Sequence, residues 1–230
     1  KSGMMVTASR TLKVLPLVGD IYYSDGTCSN TVVSGKTPIG VVVSTNSTYC
    51  EEDQGYGHGL VMALKNAGQY RWKISNDASG VLAYKNTLAL MYADVSGKSN
   101  TETIGTNNAN YPAFQAIGSY TTSVPVPAVT SGWFLPSMGQ WWDVLEKVAA
   151  YNGTSLEISS KHDDGSYYYY SVSNEATKAV NALNAVLSKN GLTNTLYDSF
   201  ALDTYFWTSS ECDSSSTYSL DFNPDGSLDL

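Results

Sequence analysis

Proton transfer in this chain would fall to very few side chains. Two histidines are present, His58 and His162, and each sits where a turn residue is a better reading than a general base. His58 lies inside Gly55-Tyr-Gly-His-Gly59, and His162 is followed by Asp163 and Asp164 in a polar stretch. The nearest approach to a nucleophile elbow, Leu135-Pro-Ser-Met-Gly139, lacks the first glycine that the strained strand-to-helix turn needs. Ser137 followed three residues later by Gln140 is instead a capping box, the pairing that satisfies open backbone N–H groups at a helix start. Cys28, Cys50 and Cys212 match no zinc spacing. Cys28 and Cys50 could close a loop in an oxidising compartment; three unrelated thiols is the competing reading.

Asp221, Asn223, Asp225 and Gly226 match the opening of a calcium loop, whose alternating oxygen side chains converge on a hard cation. A β-like lead-in, Pro224, and a bidentate acid that would fall beyond Leu230 favour a tight hairpin turn instead. No glycine-rich phosphate loop follows a strand into a helix. The expectation is a chain that is not an enzyme and uses no metal and no cofactor.

Charge narrows the partners. The formal net charge is -8, with 15% charged residues against 42% hydrophobic. Gripping a phosphate backbone needs a surplus of Lys and Arg, so no nucleic acid is expected. After Lys189 there is no Lys or Arg, yet Asp198, Asp203, Glu211, Asp213, Asp221, Asp225 and Asp229 follow. No apolar run of about 18 residues could span a bilayer, and residues 1–15 lack the apolar core and cleavage site of a signal peptide, which leaves room for a targeting segment already removed.

The aromatic supply is the positive signal. Seventeen tyrosines and 5 tryptophans gather at Tyr22-Tyr23, Trp141-Trp142, Tyr167 to Tyr170, and Tyr205-Phe206-Trp207. Tyrosine offers a large flat contact with a polar tip at low conformational cost, which suits binding surfaces rich in Ser, Asn and Gly. Four consecutive rings at 167–170 cannot all be buried in a strand, because successive side chains point to opposite faces.

The elements that must position these groups read as follows. Residues 39–43 are an unbroken β-branched run, a strand buried on both faces. Residues 81–92 read as a longer strand or hairpin. Between them, 59–67 carries Leu60, Val61 and Leu64 at helical spacing and ends at Gly68, which predicts a short helix. Residues 100–110 read as a polar loop. Pro112 starts a helix to about residue 120. The capping box starts a second helix bearing Trp141, Leu145 and Val148 and stopping at Asn152-Gly153. Residues 175–189 place Ala176, Val180, Leu183 and Leu187 on one stripe of a third. Short strands at 205–208, 217–222 and 227–230 close the chain, the last two joined by Asn223-Pro-Asp-Gly226. With no βαβ rhythm and no repeat, the fold class is α+β: small mixed or antiparallel sheets with about three to four flanking helices.

Two segments together carry a resemblance. Gly132-Trp-Phe-Leu-Pro-Ser137 leading into a tryptophan-bearing helix, and Phe206-Trp-Thr-Ser-Ser-Glu211 followed by Tyr218-Ser-Leu-Asp-Phe222 and a glycine turn, resemble paired motifs of bacterial C-type lectin-like domains. The group is that of Bacteroidetes surface and fimbrial-tip proteins and of the Legionella collagen-like adhesin C-terminal domain. Gly19-Asp-Ile-Tyr-Tyr-Ser-Asp-Gly-Thr27, Lys36-Thr-Pro-Ile-Gly-Val-Val-Val43 and Gly57-His-Gly-Leu60 resemble the front half of the Bacteroidetes members.

The resemblance implies a C-type lectin-like fold without the calcium motifs of animal lectins, as a single domain over 19–230 behind an N-terminal extension, 1–18. It implies an adhesin-like binding role at a bacterial cell surface, extracellular, or on a phage virion. Members usually continue into a final strand that this sequence lacks, so the closing strand is expected to be missing or supplied otherwise. Related lectin-like proteins are also diversified by retroelements near their C-terminal strands, and the composition of residues 211–221 suits that.

The ligand face expected on this basis uses Tyr205, Trp207 and Tyr218 as platforms, Glu211, Asp213, Ser214, Ser216 and Asp221 as hydrogen-bonding groups, and Tyr168 and Tyr170 from the tyrosine run. The partner expected is a glycan or a protein on another cell. Two alternatives stay open: a structural subunit of a pilus tip or virion, and an enzyme of the sulfatase-activating branch of the same fold, for which the three separated cysteines give no local support.

Overall fold

Strand β3 (Pro38–Ser44) is central in the first sheet because its sequence leaves no polar face to expose. It is flanked by β1 (Ile21–Tyr23) on one side and β4 (Leu60–Ala63) on the other, with β2 (Cys28–Ser29) outside β1, all antiparallel. Val41, Val42 and Val43 are at most 3% exposed. These assignments come from a computed structural model, which describes residues 15–45, 59–75, 81–156, 174–189 and 191–229 of the 230. His58, His162, Cys50 and the run 167–170 lie outside the described residues, as do residues 1–14 of the expected N-terminal extension.

Among the described residues five helices follow: α1 (Leu88–Tyr92), α2 (Gly97–Ile104), α3 (Pro112–Ser123), α4 (Met138–Tyr151) and α5 (Glu175–Lys189). A second antiparallel sheet, β5 (Thr204–Glu211), β6 (Thr217–Phe222) and β7 (Leu228–Asp229), ends the fold. The architecture is α+β, two small antiparallel sheets with helices between and around them. Helix α4 joins them: it contacts β3, β5, β6 and α5. Its Met138, Leu145 and Val148 are at most 1% exposed and share one core with Ile21 and Val41 of the first sheet, Leu183 and Leu187 of α5, and Leu220 and Phe222 of the second.

The start of α4 shows why it forms there. Gln140 Oε1 accepts the Ser137 N–H at 3.1 Å, completing the capping box. The Ser137 hydroxyl donates to the Asp94 carbonyl at 2.5 Å, so the cap also ties the helix to the segment after α1. A smaller cluster stands apart, with Trp72 edge-on to Tyr111 and to Phe114 at 5.4 Å each.

Three expectations are corrected. Residues 60–63 are strand, because Gly40, Val41 and Val42 of β3 pair with Ala63, Met62 and Val61; the apparent helical spacing of Leu60, Val61 and Leu64 is incidental over so short a run. Residues 81–86 form no strand. They are irregular and give way to α1, which the Thr87 side chain caps by accepting the Leu90 N–H. The first part of the polar loop expected over 100–110 belongs to a helix over 97–104: Gly97, Thr101 and Ile104 are buried along one stripe, and Lys98 pairs with Glu102 on the outside. The Asn223 to Gly226 segment is the hairpin turn expected, with the Gly226 N–H on the Asn223 carbonyl at 3.0 Å.

Candidate functional site

The second sheet sorts its side chains by alternation. In β6, Tyr218, Leu220 and Phe222 are buried, while Thr217, Ser219 and Asp221 are half-buried. Register extends this division across the strands, since directly opposed residues share a face. Phe206 lies opposite Leu220, and Phe222 opposite Leu228, on the core side. On the outer side Tyr205 lies opposite Asp221, which lies opposite Asp229, and Trp207 lies opposite Ser219.

Tyr205 is 61% exposed. Its ring meets that of Trp207 edge-on, with centroids 5.5 Å apart and an interplanar angle of 71°. Trp207 Nε1 donates to the Tyr70 carbonyl at 2.7 Å, and the indole rests against the Trp72 cluster. The indole is therefore held from below with its polar need met inside the chain, and Tyr205 stands beside it in solvent.

Two residues expected at a ligand belong to the interior. Tyr218 is 3% exposed and its hydroxyl donates to the Lys85 carbonyl at 2.7 Å, so it is a core residue that anchors the loop before α1. Its position follows from the same alternation that buries Leu220 and Phe222. Glu211 is 1% exposed; its Oε2 accepts the Leu82 N–H at 3.2 Å and its Oε1 has no hydrogen-bond partner among the described residues. Burial pushes its carboxyl above the usual range.

Glu211 lies opposite Thr217, on the same row as Trp207 and Ser219, and is buried because residues 82–85 cover it: the Leu82 N–H reaches its carboxylate and the Lys85 N–H its carbonyl. A bulge precedes it in β5. Trp207 pairs with Ser219 and Glu211 with Thr217, so four steps along β5 run against two along β6. The intervening residues Thr208, Ser209 and Ser210, three against the single Tyr218, are 0–1% exposed and bind neighbouring segments. Trp72 Nε1 donates to the Thr208 carbonyl at 2.7 Å. Asn100 Nδ2 donates to the Ser209 carbonyl and the Ser209 N–H to the Pro136 carbonyl. Ser210 Oγ donates to Asp94 Oδ2 at 2.6 Å and accepts the Met138 N–H at 2.9 Å. The Trp-Thr-Ser-Ser-Glu motif is thus a clamp that fixes the sheet to the loops beside it.

Asp213, Ser214 and Ser216 lie in the β5–β6 connection, at the opposite end of the hairpin from Tyr205. Asp213 Oδ1 accepts the Ser215 and Ser216 N–H groups, which holds its carboxyl below the usual range, and Lys73 Nζ donates to the Ser214 carbonyl at 2.9 Å. Of the expected site residues, the structure brings together Tyr205, Trp207 and Asp221 and sets apart the loop-tip group. Tyr168 and Tyr170 lie outside the described residues. Asp229 and Ser219 complete the outer face and were missed at the sequence level, although strand alternation through 217–222 would have found Ser219.

Asp221 is a tense member of this face. Burial pushes its carboxyl up, the Ser219 hydrogen bond opposes that, and the Asp229 charge adds to it. Among the described residues no three His, Cys, Asp or Glu side chains converge as a metal site would require, and no helix is long and apolar enough to cross a membrane.

No family model matches the chain, and no curated protein matches it. The chain is similar to a solved structure, a fimbrial protein from Bacteroides ovatus ATCC 8483, at 16% identity with a TM-score of 0.47. That likeness covers 93% of this chain and 47% of the other, so the chain spans about half the length of the protein it matches. Likeness at this level transfers neither fold family nor function.

Proposed function

We propose that this chain is a non-enzymatic, adhesin-like binding module of C-type lectin-like fold at a bacterial cell surface or phage virion, holding a glycan or protein on the outer face of β5, β6 and β7. The observation that carries the reading is the Tyr205–Trp207 pair: one ring 61% exposed, the other held beside it by the Tyr70 carbonyl. A fixed aromatic platform presents contact area whose ordering cost was met on folding, and carboxylates beside it supply polar recognition. The motif likeness to bacterial lectin-like domains supports the surface setting. In this reading Tyr205, Trp207, Ser219, Asp221 and Asp229 form the contact. Asp213, Ser214 and Ser216 offer a separate contact at the tip of the hairpin, where retroelement diversification would act; Tyr168 and Tyr170 stay in the reading on their sequence alone.

The test is binding of the purified chain on glycan and protein arrays, compared with Tyr205→Ala. The expected outcome is array hits whose affinity falls about tenfold or more in the variant, with a melting temperature unchanged within about 2 °C. A defined oligomer without any ligand would overturn the reading in favour of a structural subunit of a pilus tip or virion.

A further inference from the structure

The outer face of the second sheet carries negative charge that no described residue answers with an ion pair. Asp221 and Asp229 are directly opposed across β6 and β7, an arrangement that disfavours both when each is ionised. Asp221 Oδ1 is buried without a hydrogen-bond partner among the described residues. The ion pairs of the described residues engage Asp25, Asp198, Asp94, Glu102, Asp143 and Glu175, and none includes Asp221 or Asp229. No Lys or Arg follows Lys189 in the chain. Lys65 is engaged with Asp198, and Lys73 reaches the Ser214 carbonyl at the far end of the hairpin.

The same row continues from the two carboxylates to Tyr205, and from there to Trp207. Aromatic faces attract cations through their ring quadrupoles, and a guanidinium can stack on a ring while its edge donates to carboxylates. A neutral sugar hydroxyl could accept or donate hydrogen bonds here, but it would leave two opposed charges uncompensated.

We infer that this face docks a basic polypeptide segment, an arginine or lysine side chain of the partner lying over Tyr205 with its cationic head between Asp221 and Asp229. The inference rests on the binding role proposed above and narrows its ligand to a cationic protein surface.

The probe is a capped peptide with three arginines spaced by glycines, against the same peptide with citrulline, which keeps the shape and removes the charge. Titration calorimetry is expected to give at least about tenfold tighter binding of the arginine peptide, weakening as salt is raised from about 50 to 500 mM. Asp221→Asn/Asp229→Asn should lose at least about tenfold of that affinity, and Asp229→Asn alone should raise the melting temperature by relieving the opposed pair. Glu102→Gln/Glu146→Gln, which removes two exposed acids elsewhere, should stay within about threefold of the parent chain.

Equal binding of the two peptides, no binding of the arginine peptide at millimolar concentration, or equal losses in the two double variants overturns the inference. Array ligands that depend on Tyr205 and not on Asp221 and Asp229 would sink the cationic partner while leaving the binding role standing. Absence of any Tyr205-dependent ligand would sink the binding role itself.

Discussion

Ser210→Ala tests whether the Thr-Ser-Ser bulge holds the fold together. The hydroxyl makes two buried contacts, donating to Asp94 Oδ2 at 2.6 Å and accepting the Met138 N–H at 2.9 Å, in a residue 1% exposed. Alanine leaves a buried carboxylate oxygen and a first-turn helix N–H without these partners, at about 1–3 kcal/mol for each orphaned group. Asp94 keeps the Ser96 N–H on its other oxygen, with Lys85 Nζ 3.8 Å away, so its share falls toward the lower end. A total of about 3 kcal/mol corresponds to a melting temperature lower by about 6–12 °C for a chain of this size. Circular dichroism at neutral pH measures it, with Ser214→Ala, at an exposed position, as the control expected to change stability by under about 0.5 kcal/mol. Combining Ser210→Ala with Asp94→Asn should show a coupling of about 0.5–3 kcal/mol. A Ser210→Ala chain as stable as the Ser214→Ala control would refute the clamp.

Glu211 sets a second expectation. Its carboxyl is raised in the folded chain, chiefly by burial, so the fold favours the protonated form. Stability should then decline as pH rises from about 4.3, the free carboxyl value, through the higher folded value, and remain lower above it. Glu211→Gln cannot ionise and should flatten that decline; urea midpoints between about pH 4 and 8 measure it, and an undiminished slope counts against the assignment. Asp25 has the opposite sign. The hydrogen bond from Lys36, then those from Thr27, hold its carboxyl at about 2, so its contribution is present above about 3.9 and lost as pH falls toward 2. Asp25→Asn should remove that acid-side loss, and an unchanged acid unfolding curve would contradict it. Gly139→Ala would drive its new methyl into the Tyr92 and Asp94 carbonyl oxygens. Backbone cannot yield as a side chain would, so the cost should reach about 3 kcal/mol, the upper end for overpacking; a neutral substitution would mean that α1 and α4 are further apart than described.

What the sequence made legible was local. Pro112 at a helix start, the Ser137–Gln140 box and the apolar stripe of 175–189 each specify an element within a few residues, and α3, α4 and α5 formed where those signals stood. The β6–β7 turn was equally readable, since its Asn-Pro-Asp-Gly residues preset it. Residues 60–63 were not, because only pairing with β3 decides them. Helix α2 escaped because its buried face is built from Gly97, Thr101 and Ile104, which carry little hydrophobic signal. The site divided along the same line. Tyr205, Trp207 and Asp221 were identifiable as chemistry, whereas the burial of Glu211 depends on residues 82–85, distant in sequence, lying over it. Tyr218 was a readable error: in a strand over 217–222 it shares parity with Leu220 and Phe222, not with Asp221.

The bulge of β5 also uncouples the two ends of the hairpin. Thr208, Ser209 and Ser210 are fastened to the segments around Trp72, Asn100 and Pro136, so they cannot slide to absorb a change on either side. A residue added to or deleted from 212–216 therefore displaces the tip alone, and the spacing of Tyr205 to Asp221 is preserved. A change of length at one extremity of the hairpin is thereby kept from reaching the other.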